Sequence, residues 1–271
     1  MRLRIRHATR YTYDRPIDYA AQLVRLTPLN HMGQRVLSWR VVEDPGRRLP
    51  VTDDGYGNIV HMLTLNRQHR EATVLAEGEV ETFDTNGILK ESVERLPPLY
   101  YLRGTDMTEP DEALEALAEE VAATADPVKR LHRLMLATRA RVAYQVGATT
   151  VTTTAVEAFA RGSGVCQDHA HIFIACARLL GHPARYVSGY LWEGPKEGPS
   201  EASHAWAEAH LGELGWVGFD PANGISPTEA YVRVAIGLDY LEAAPIRGVR
   251  RGAAEESLAV SVGVEQVQAQ Q

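Results

Sequence analysis

Cysteine is the scarcest nucleophile in this 271-residue chain, present only as Cys166 and Cys176. Cys166 follows the turn Gly162-Ser163-Gly164-Val165 and opens an apolar stretch that stops at Gly181. This pattern predicts a helix from Cys166 to about Leu180, ended by the glycine. A thiol at a helix N-terminus feels the positive end of the macrodipole, which favours the thiolate. The first helical amides lack intrahelical acceptors, so the N–H of Cys166 is available to an oxyanion. The alternative is a small apolar residue buried at a helix start. Cys176 lies among Ile172, Phe173, Ile174, Leu179 and Leu180, where a free thiol behaves as a small hydrophobe. Ten residues of helix separate the two sulfurs by about 15 Å, too far for a disulfide.

A thiol nucleophile needs a base, and a base needs an orienting partner. In the segment from Ser203 to Leu211, alternation puts His204, Trp206, Glu208 and His210 on one face of a strand. A turn near Gly212 leads into a second strand, Gly215 to Asp220. A hairpin closed by the three residues Leu211 to Glu213 sets His204 directly opposite Asp220, within reach of an imidazole–carboxylate pair. A one-residue change in loop length would bring Pro221 opposite instead, so the register is an inference. Taken singly, His204 reads as a satisfied strand histidine and Asp220 as a turn residue before Pro221. Asp220 stands at a strand end, where modest burial is expected.

The runs GVCQDHAHIFIACARLLGHPARYVSGYL, SHAWAEAHL and GWVGFDPANG, in that order, resemble the core of the bacterial transglutaminase-like superfamily. That resemblance implies a papain-related α+β core in which Cys166, His204 and Asp220 form a catalytic triad. The first hundred residues, including Leu26-Thr27-Pro28, resemble the β-rich region that precedes the core in bacterial members. The phrase RVAIGLDY, Arg233 to Tyr240, resembles a downstream segment of the same subfamily; Leu238 stands where Arg is common. Relatives of this kind include peptidases, amide hydrolases, cross-linking enzymes and inactive members.

The elements that must position these residues fall into two regions. Residues 1–96 read as a β-rich, sandwich-like N-terminal domain. Leu3, Ile5, His7, Thr9, Tyr11 and Tyr13 alternate with Arg4, Arg6 and Arg10. Further strands are expected at Gln22–Leu29, Arg35–Val42, Ile59–Leu65 and Thr73–Phe83. Residues 97–271 read as the catalytic core with C-terminal strands, the last at Leu258–Val267. The Pro-containing stretch from 97 to 110 reads as a linker, after which the period becomes helical. Thr108 with Asp111 is read as a capping pair, Asp126-Pro127 as the start of a helix to about Tyr144, and Thr154 with Glu157 as a capping box.

Around the triad, Gln167 and Trp206 are candidate substrate-binding residues. Trp206 and Trp216 are read as core aromatics or cleft walls. Asp168 is assigned to the helix start, and His169 and His171 to packing or surface. Tyr144, Gln145 and Trp192 are candidates for a second oxyanion donor. A metal set of Cys166, His169, His171 and His204 matches no usual zinc spacing, so neither metal nor cofactor is expected.

Twenty-eight basic against thirty-five acidic side chains give a net charge of −7, without the basic footprint of a nucleic-acid binder. Charges break every apolar run near the N-terminus, so neither a secretory signal nor a membrane span is expected, and two unpaired thiols suit a reducing compartment. The expected location is cytoplasmic. The expected activity is thiol-dependent acyl transfer on a peptide or protein amide. Hydrolysis is placed ahead of amine transfer to glutamine because water is the abundant acceptor. A catalytically silent interaction domain is the alternative of another class.

Overall fold

The computed structural model describes residues 1–195 and 202–267. The N-terminal region is two packed antiparallel sheets. Strands β1 (Arg2–Ile17), β2 (Tyr19–Thr27), β3 (Gln34–Glu43), β4 (Arg47–Arg48), β5 (Val51–Asp53), β6 (Ile59–Leu65) and β7 (His69–Thr82) belong to it. The period-two reading of β1 holds as far as Tyr13: Leu3, Ile5, His7, Thr9, Tyr11 and Tyr13 are buried, and the arginines between them are exposed. Ile17, Val24, Leu26, Leu63 and Val74 from both sheets meet in one core.

A two-residue strand, β8 (Ile88–Leu89), leaves this region for the core sheet. The expected linker is not a free tether. Pro98–Leu102 form a 3₁₀ turn whose Tyr101 is fully buried and packs edge-on to Trp216 at 5.0 Å.

The core then supplies α1 (Glu112–Ala122), α2 (Pro127–Arg141), β9 (Ala143–Tyr144), α3 (Ala155–Arg161), β10 (Ser163–Gly164) and α4 (Cys166–Leu179). Asp126 and Thr154 cap α2 and α3 as expected. The cap of α1 differs. Asp111 itself is the N-cap, accepting from the amides of Ala113 and Leu114, because its short carboxylate reaches both. The Thr108 hydroxyl accepts instead from Arg178 Nη1 at 2.8 Å.

Strands β11 (Ala184–Leu191), β12 (Ser203–His210), β13 (Trp216–Phe219) and β14 (Tyr231–Gly237) follow, then the short helix α5 (Tyr240–Ala243). The core sheet has the order β14-β11-β12-β13-β8. On one face Ala205, Ala207 and Ala209 pack against α4. Farther along, Tyr190, Val232 and Val234 meet Leu3, Ile5 and Val80 of the N-terminal sheets, and on the opposite face Val187, Trp206, Tyr231 and Ile236 pack with Tyr56. A sheet covered on both faces accounts for the almost unbroken burial of β11.

The C-terminal strands do not stay with the core. β15 (Ile246–Arg251) pairs with β2, and β16 (Glu256–Gln266) pairs with β1 from Leu3↔Gln266 to Tyr13↔Glu256. The division at residue 97 therefore separates neither sheet cleanly: β8 crosses one way and the last two strands return. The physical reason is the open hydrogen-bonding edge of β1 and β2, which the chain's end satisfies.

Candidate active site

Cys166 is the first residue of α4 and is half-buried. The turn before it depends on a glycine. A Cβ at Gly164 would lie 2.6 Å from Asp168 Oδ2 and 2.8 Å from Asp168 Cβ. Without that Cβ, the Asp168 carboxylate folds back and accepts from the Val165 amide at 2.7 Å and the Thr149 hydroxyl at 2.6 Å. Asp168 thus clamps the helix start, although burial raises its pKa against those hydrogen bonds. The Val165 side chain offers no cap, and the Cys166 N–H, at the first helical position, has no intrahelical acceptor.

His204 lies near the start of β12 with its side chain 9% exposed. Its Nε2 meets Asp220 Oδ2 at 2.6 Å. Cys166 lines the same cavity as the ring and acts on its charge together with Asp220. Burial alone would lower the imidazole pKa; the hydrogen bonds to Asp220 and Cys166 and their charges outweigh it and raise it to about 10. His204 therefore carries its proton at neutral pH and presents a cation to the sulfur.

The hairpin that joins these residues has a different register from the expected one. β12 and β13 pair from Ala207↔Phe219 to His210↔Trp216, leaving five loop residues, Leu211 to Gly215, rather than three. Gly212 and Gly215 have φ of +56° and +77° and admit a 3₁₀ turn there. One further step of the ladder sets Trp206, not His204, across from Asp220. The slip is two residues, so parity is kept and His204 and Asp220 still share a face as diagonal neighbours.

Asp220 is not at a lightly buried strand end: it is fully buried. Its Oδ2 also accepts from Tyr231 Oη at 2.7 Å and Asn223 Nδ2 at 2.8 Å. Its Oδ1 accepts from the amides of Ala222 and Asn223 at 3.0 and 3.1 Å. Burial raises a carboxylate's pKa, but the His204 bond and charge and these donors more than reverse it and hold Asp220 below its usual value. Tyr231 and Asn223 were not singled out from the sequence. Asn223 had a local signal, since Asp-Pro-Ala-Asn-Gly folds as a turn around the Asp side chain. Tyr231 had none, because it arrives from another strand.

The thiol and imidazole open on a cavity of about 310 Å³ between the core and the N-terminal sandwich. Gln167 is 8% exposed and lines it; its Nε2 donates to Val151 O at 3.3 Å. Trp206 lies behind the histidine rather than in the cavity. It is 2% exposed, stacks on His204 with centroids 6.3 Å apart and meets Tyr231 edge-on at 5.4 Å. Gly189 makes room for it, since a Cβ there would lie 2.7 Å from the indole. Trp216 is buried under the Arg185 guanidinium at 3.7 Å. Tyr144 and Gln145 are exposed, Trp192 packs beside Tyr190, and none of the three lines the cavity.

His169 and His171 are both fully buried and do not join Cys166 and His204 as a cluster. The ring nitrogens of His169 meet the carbonyls of Val165 and Val142, both at 2.9 Å. His171 Nε2 accepts from the Tyr240 amide at 3.0 Å, and burial lowers its pKa to about 3. Among the described residues, no group of three or more His, Cys, Asp or Glu side chains is arranged to hold a metal ion. Among the described residues, no helix is long and apolar enough to cross a membrane.

Comparisons agree with this architecture along its length. Residues 3–81 match the model of the bacterial transglutaminase-like N-terminal region, and residues 115–221 match that of the transglutaminase-like superfamily. An uncharacterized protein of Mycobacterium leprae is 32% identical over 97% of this chain and 98% of its own length. An uncharacterized protein of Mycobacterium tuberculosis is also 32% identical, over 97% of this chain and 92% of its own. Among solved structures, a "Putative Cysteine Protease from Cytophaga hutchinsonii" superposes with a TM-score of 0.78 at 21% identity, over 100% of this chain and 92% of that one. At that identity the structural likeness speaks for the fold.

Proposed function

The chain belongs to the transglutaminase-like superfamily, and from that premise we propose that it hydrolyses amide bonds of peptides or proteins through Cys166, His204 and Asp220. The observation that carries this reading is His204 held between a fully buried carboxylate and the half-buried thiol at the start of α4. The Cys166 sulfur, as thiolate, attacks the amide carbonyl and forms the C–S bond. The carbonyl π-electrons move to oxygen, which the Cys166 N–H receives. As the tetrahedral intermediate collapses, the C–N bond breaks and the amine leaves with the proton of the His204 imidazolium. His204, now neutral, takes a proton from water as the hydroxide adds to the thioester. The C–S bond then breaks, releasing the acid and restoring thiolate and imidazolium. Asp220 keeps one imidazole nitrogen engaged throughout, so the other stays aimed at the reacting atoms.

Water is favoured over an amine acceptor by the composition of the cavity. Among the described residues lining it there is no Asp or Glu to hold a lysine ammonium. The test is a peptide library incubated with wild type and Cys166→Ala, read by mass spectrometry alongside a labelled primary amine. Cys166-dependent cleavage that outpaces amine incorporation is the expected outcome. Incorporation outpacing cleavage would reverse the ranking, and neither product from any peptide would count against an enzyme.

A further inference from the structure

The cavity beside the thiol carries more information than the triad does. Its walls come from both regions: Tyr186 and Tyr240 from the core, Tyr11 and Arg25 from the N-terminal sandwich, with Leu258 and Val260 of the returning strand β16 at the rim. Tyr186 and Tyr240 meet edge to face with centroids 6.1 Å apart. Leu258 and Val260 are 57% and 52% exposed, so apolar surface extends outward from the cavity. In a chain of net charge −7, the described lining holds one guanidinium and no carboxylate.

The guanidinium is the unusual element. The Arg25 side chain is only 10% exposed. Its Nε donates to Asp54 Oδ2 at 2.9 Å, yet its Nη1 is buried with no hydrogen-bond partner. Asp54 meets only the Nε side of the guanidinium, and its oxygens also accept from the amides of Tyr56 and Asn58 and from Asn58 Nδ2, each at 3.0 Å. A buried guanidinium N–H without an acceptor is costly, and this one belongs to the single arginine among the described residues lining the cavity beside the thiol. Guanidinium nitrogens select carboxylates by geometry as well as charge.

We propose that Arg25 is a specificity-determining residue: the cavity takes amide substrates that carry an aromatic or branched apolar group between the tyrosines and a carboxylate that pairs with the Arg25 guanidinium. This substrate class rests on the reading of Cys166 as the nucleophile of the same cavity. The carboxylate is either a peptide C-terminus or the side chain of an acidic residue.

The test separates binding from turnover. Full-length Cys166→Ala is titrated calorimetrically with short acetylated peptides ending in Phe as the free acid or as the carboxamide. A second pair of carboxamide peptides carries Phe-Glu or Phe-Gln. Expected is about tenfold or more tighter binding for a carboxylate over its neutral partner, the size of one charge-assisted hydrogen bond. The pair that shows the gap identifies the source of the carboxylate. Replacing Phe by Ala should weaken binding about tenfold as well. Arg25→Gln, which keeps a donor for Asp54, should erase the carboxylate preference and leave the Phe preference. Leu258→Glu, on the exposed rim, should weaken both carboxylate peptides by charge repulsion. Carboxylate and neutral peptides binding within twofold of each other would overturn the proposal, as would a preference that survives Arg25→Gln. Should Arg25→Gln not fold, the peptide pairs on the unaltered cavity still decide. Carboxylate-selective binding with no cleavage by wild type would remove the hydrolase reading and keep this one; cleavage without carboxylate preference would do the reverse.

Discussion

The two cysteines stand ten residues apart on one helix, and their surroundings differ at every level that governs thiol chemistry. Cys166 is at the first position of α4, half-buried, beside a histidine that burial would neutralise but that Asp220 and the thiol keep cationic. Cys176 is fully buried in the core made by α1, α4 and the sheet, where its sulfur lies 3.4 Å from the Leu114 carbonyl. Burial pushes the Cys176 thiol up to about 12. The same side chain becomes a candidate nucleophile or packing material according to which end of the helix dipole it meets, and whether a cation lies within hydrogen-bonding distance.

The contrast breaks first if turnover does not depend on it. Cys166→Ala should lower kcat by about 10⁴-fold or more, as removal of a nucleophile does, while Cys176→Ala should leave kcat within about twofold. Comparable losses from both variants would mean that Cys166 acts through the fold.

Reactivity sharpens the same contrast without a substrate. Iodoacetamide at neutral pH should label Cys166 on the order of 10³-fold faster than Cys176 in the native protein, with mass mapping of the modified peptide as readout. Equal labelling would remove the physical support for a nucleophile here.

The partner of the reactive thiol can be altered next. Asp220→Asn should lower kcat roughly 10²-fold or more by losing the ordered imidazolium. The raised His204 pKa has a definite sign. Its contribution to stability is fully present below the ordinary value of 6.5 and is lost as pH rises through about 10. Activity that needs the imidazolium should fall over the same alkaline range, and in Asp220→Asn that limit should move toward neutral pH. An unchanged pH–rate profile in this variant would show that the carboxylate does not set the histidine's charge. Asp220→Ala differs because four other donors lose their acceptor: the Tyr231 hydroxyl, the Asn223 side chain and the amides of Ala222 and Asn223. Chemical denaturation should show a loss of about 2–4 kcal/mol, a cost to the fold that expecting only modest burial of Asp220 at a strand end did not anticipate.

The smallest effect belongs to the structural thiol. Cys176→Ala should cost about 1 kcal/mol by leaving a small void in the helix–sheet core, measured as a shift in the denaturation midpoint. No shift at all would mean that the site collapses around the loss.

Local signals carried far in this chain because they are short-range. Hydrophobic alternation placed β1, β6 and β7, Asp126-Pro127 and Thr154 with Glu157 started their helices, and Gly162 to Val165 put a cysteine at a helix N-terminus. Each depends on dihedral preferences and hydrogen bonds within a few residues. The ordered set Cys166, His204 and Asp220 came from the family resemblance, whereas strand alternation alone put His204 and Asp220 on one face, and parity made that shared face robust to a two-residue error in the hairpin.

What tertiary structure decided is whatever joins distant segments. The loop between β12 and β13 fixed the diagonal pairing of His204 with Asp220, and Tyr231, arriving from β14, completed the carboxylate's shell. The return of β15 and β16 to the first two strands placed Leu258 and Val260 at the mouth of a cavity whose thiol is some ninety residues earlier in the chain. The packing of the N-terminal sandwich against the core brought Arg25 to that cavity with one nitrogen unpaired. Strand edges and apolar faces state that they need partners but not which ones; only the simultaneous burial of all of them in one molecule selects the pairing.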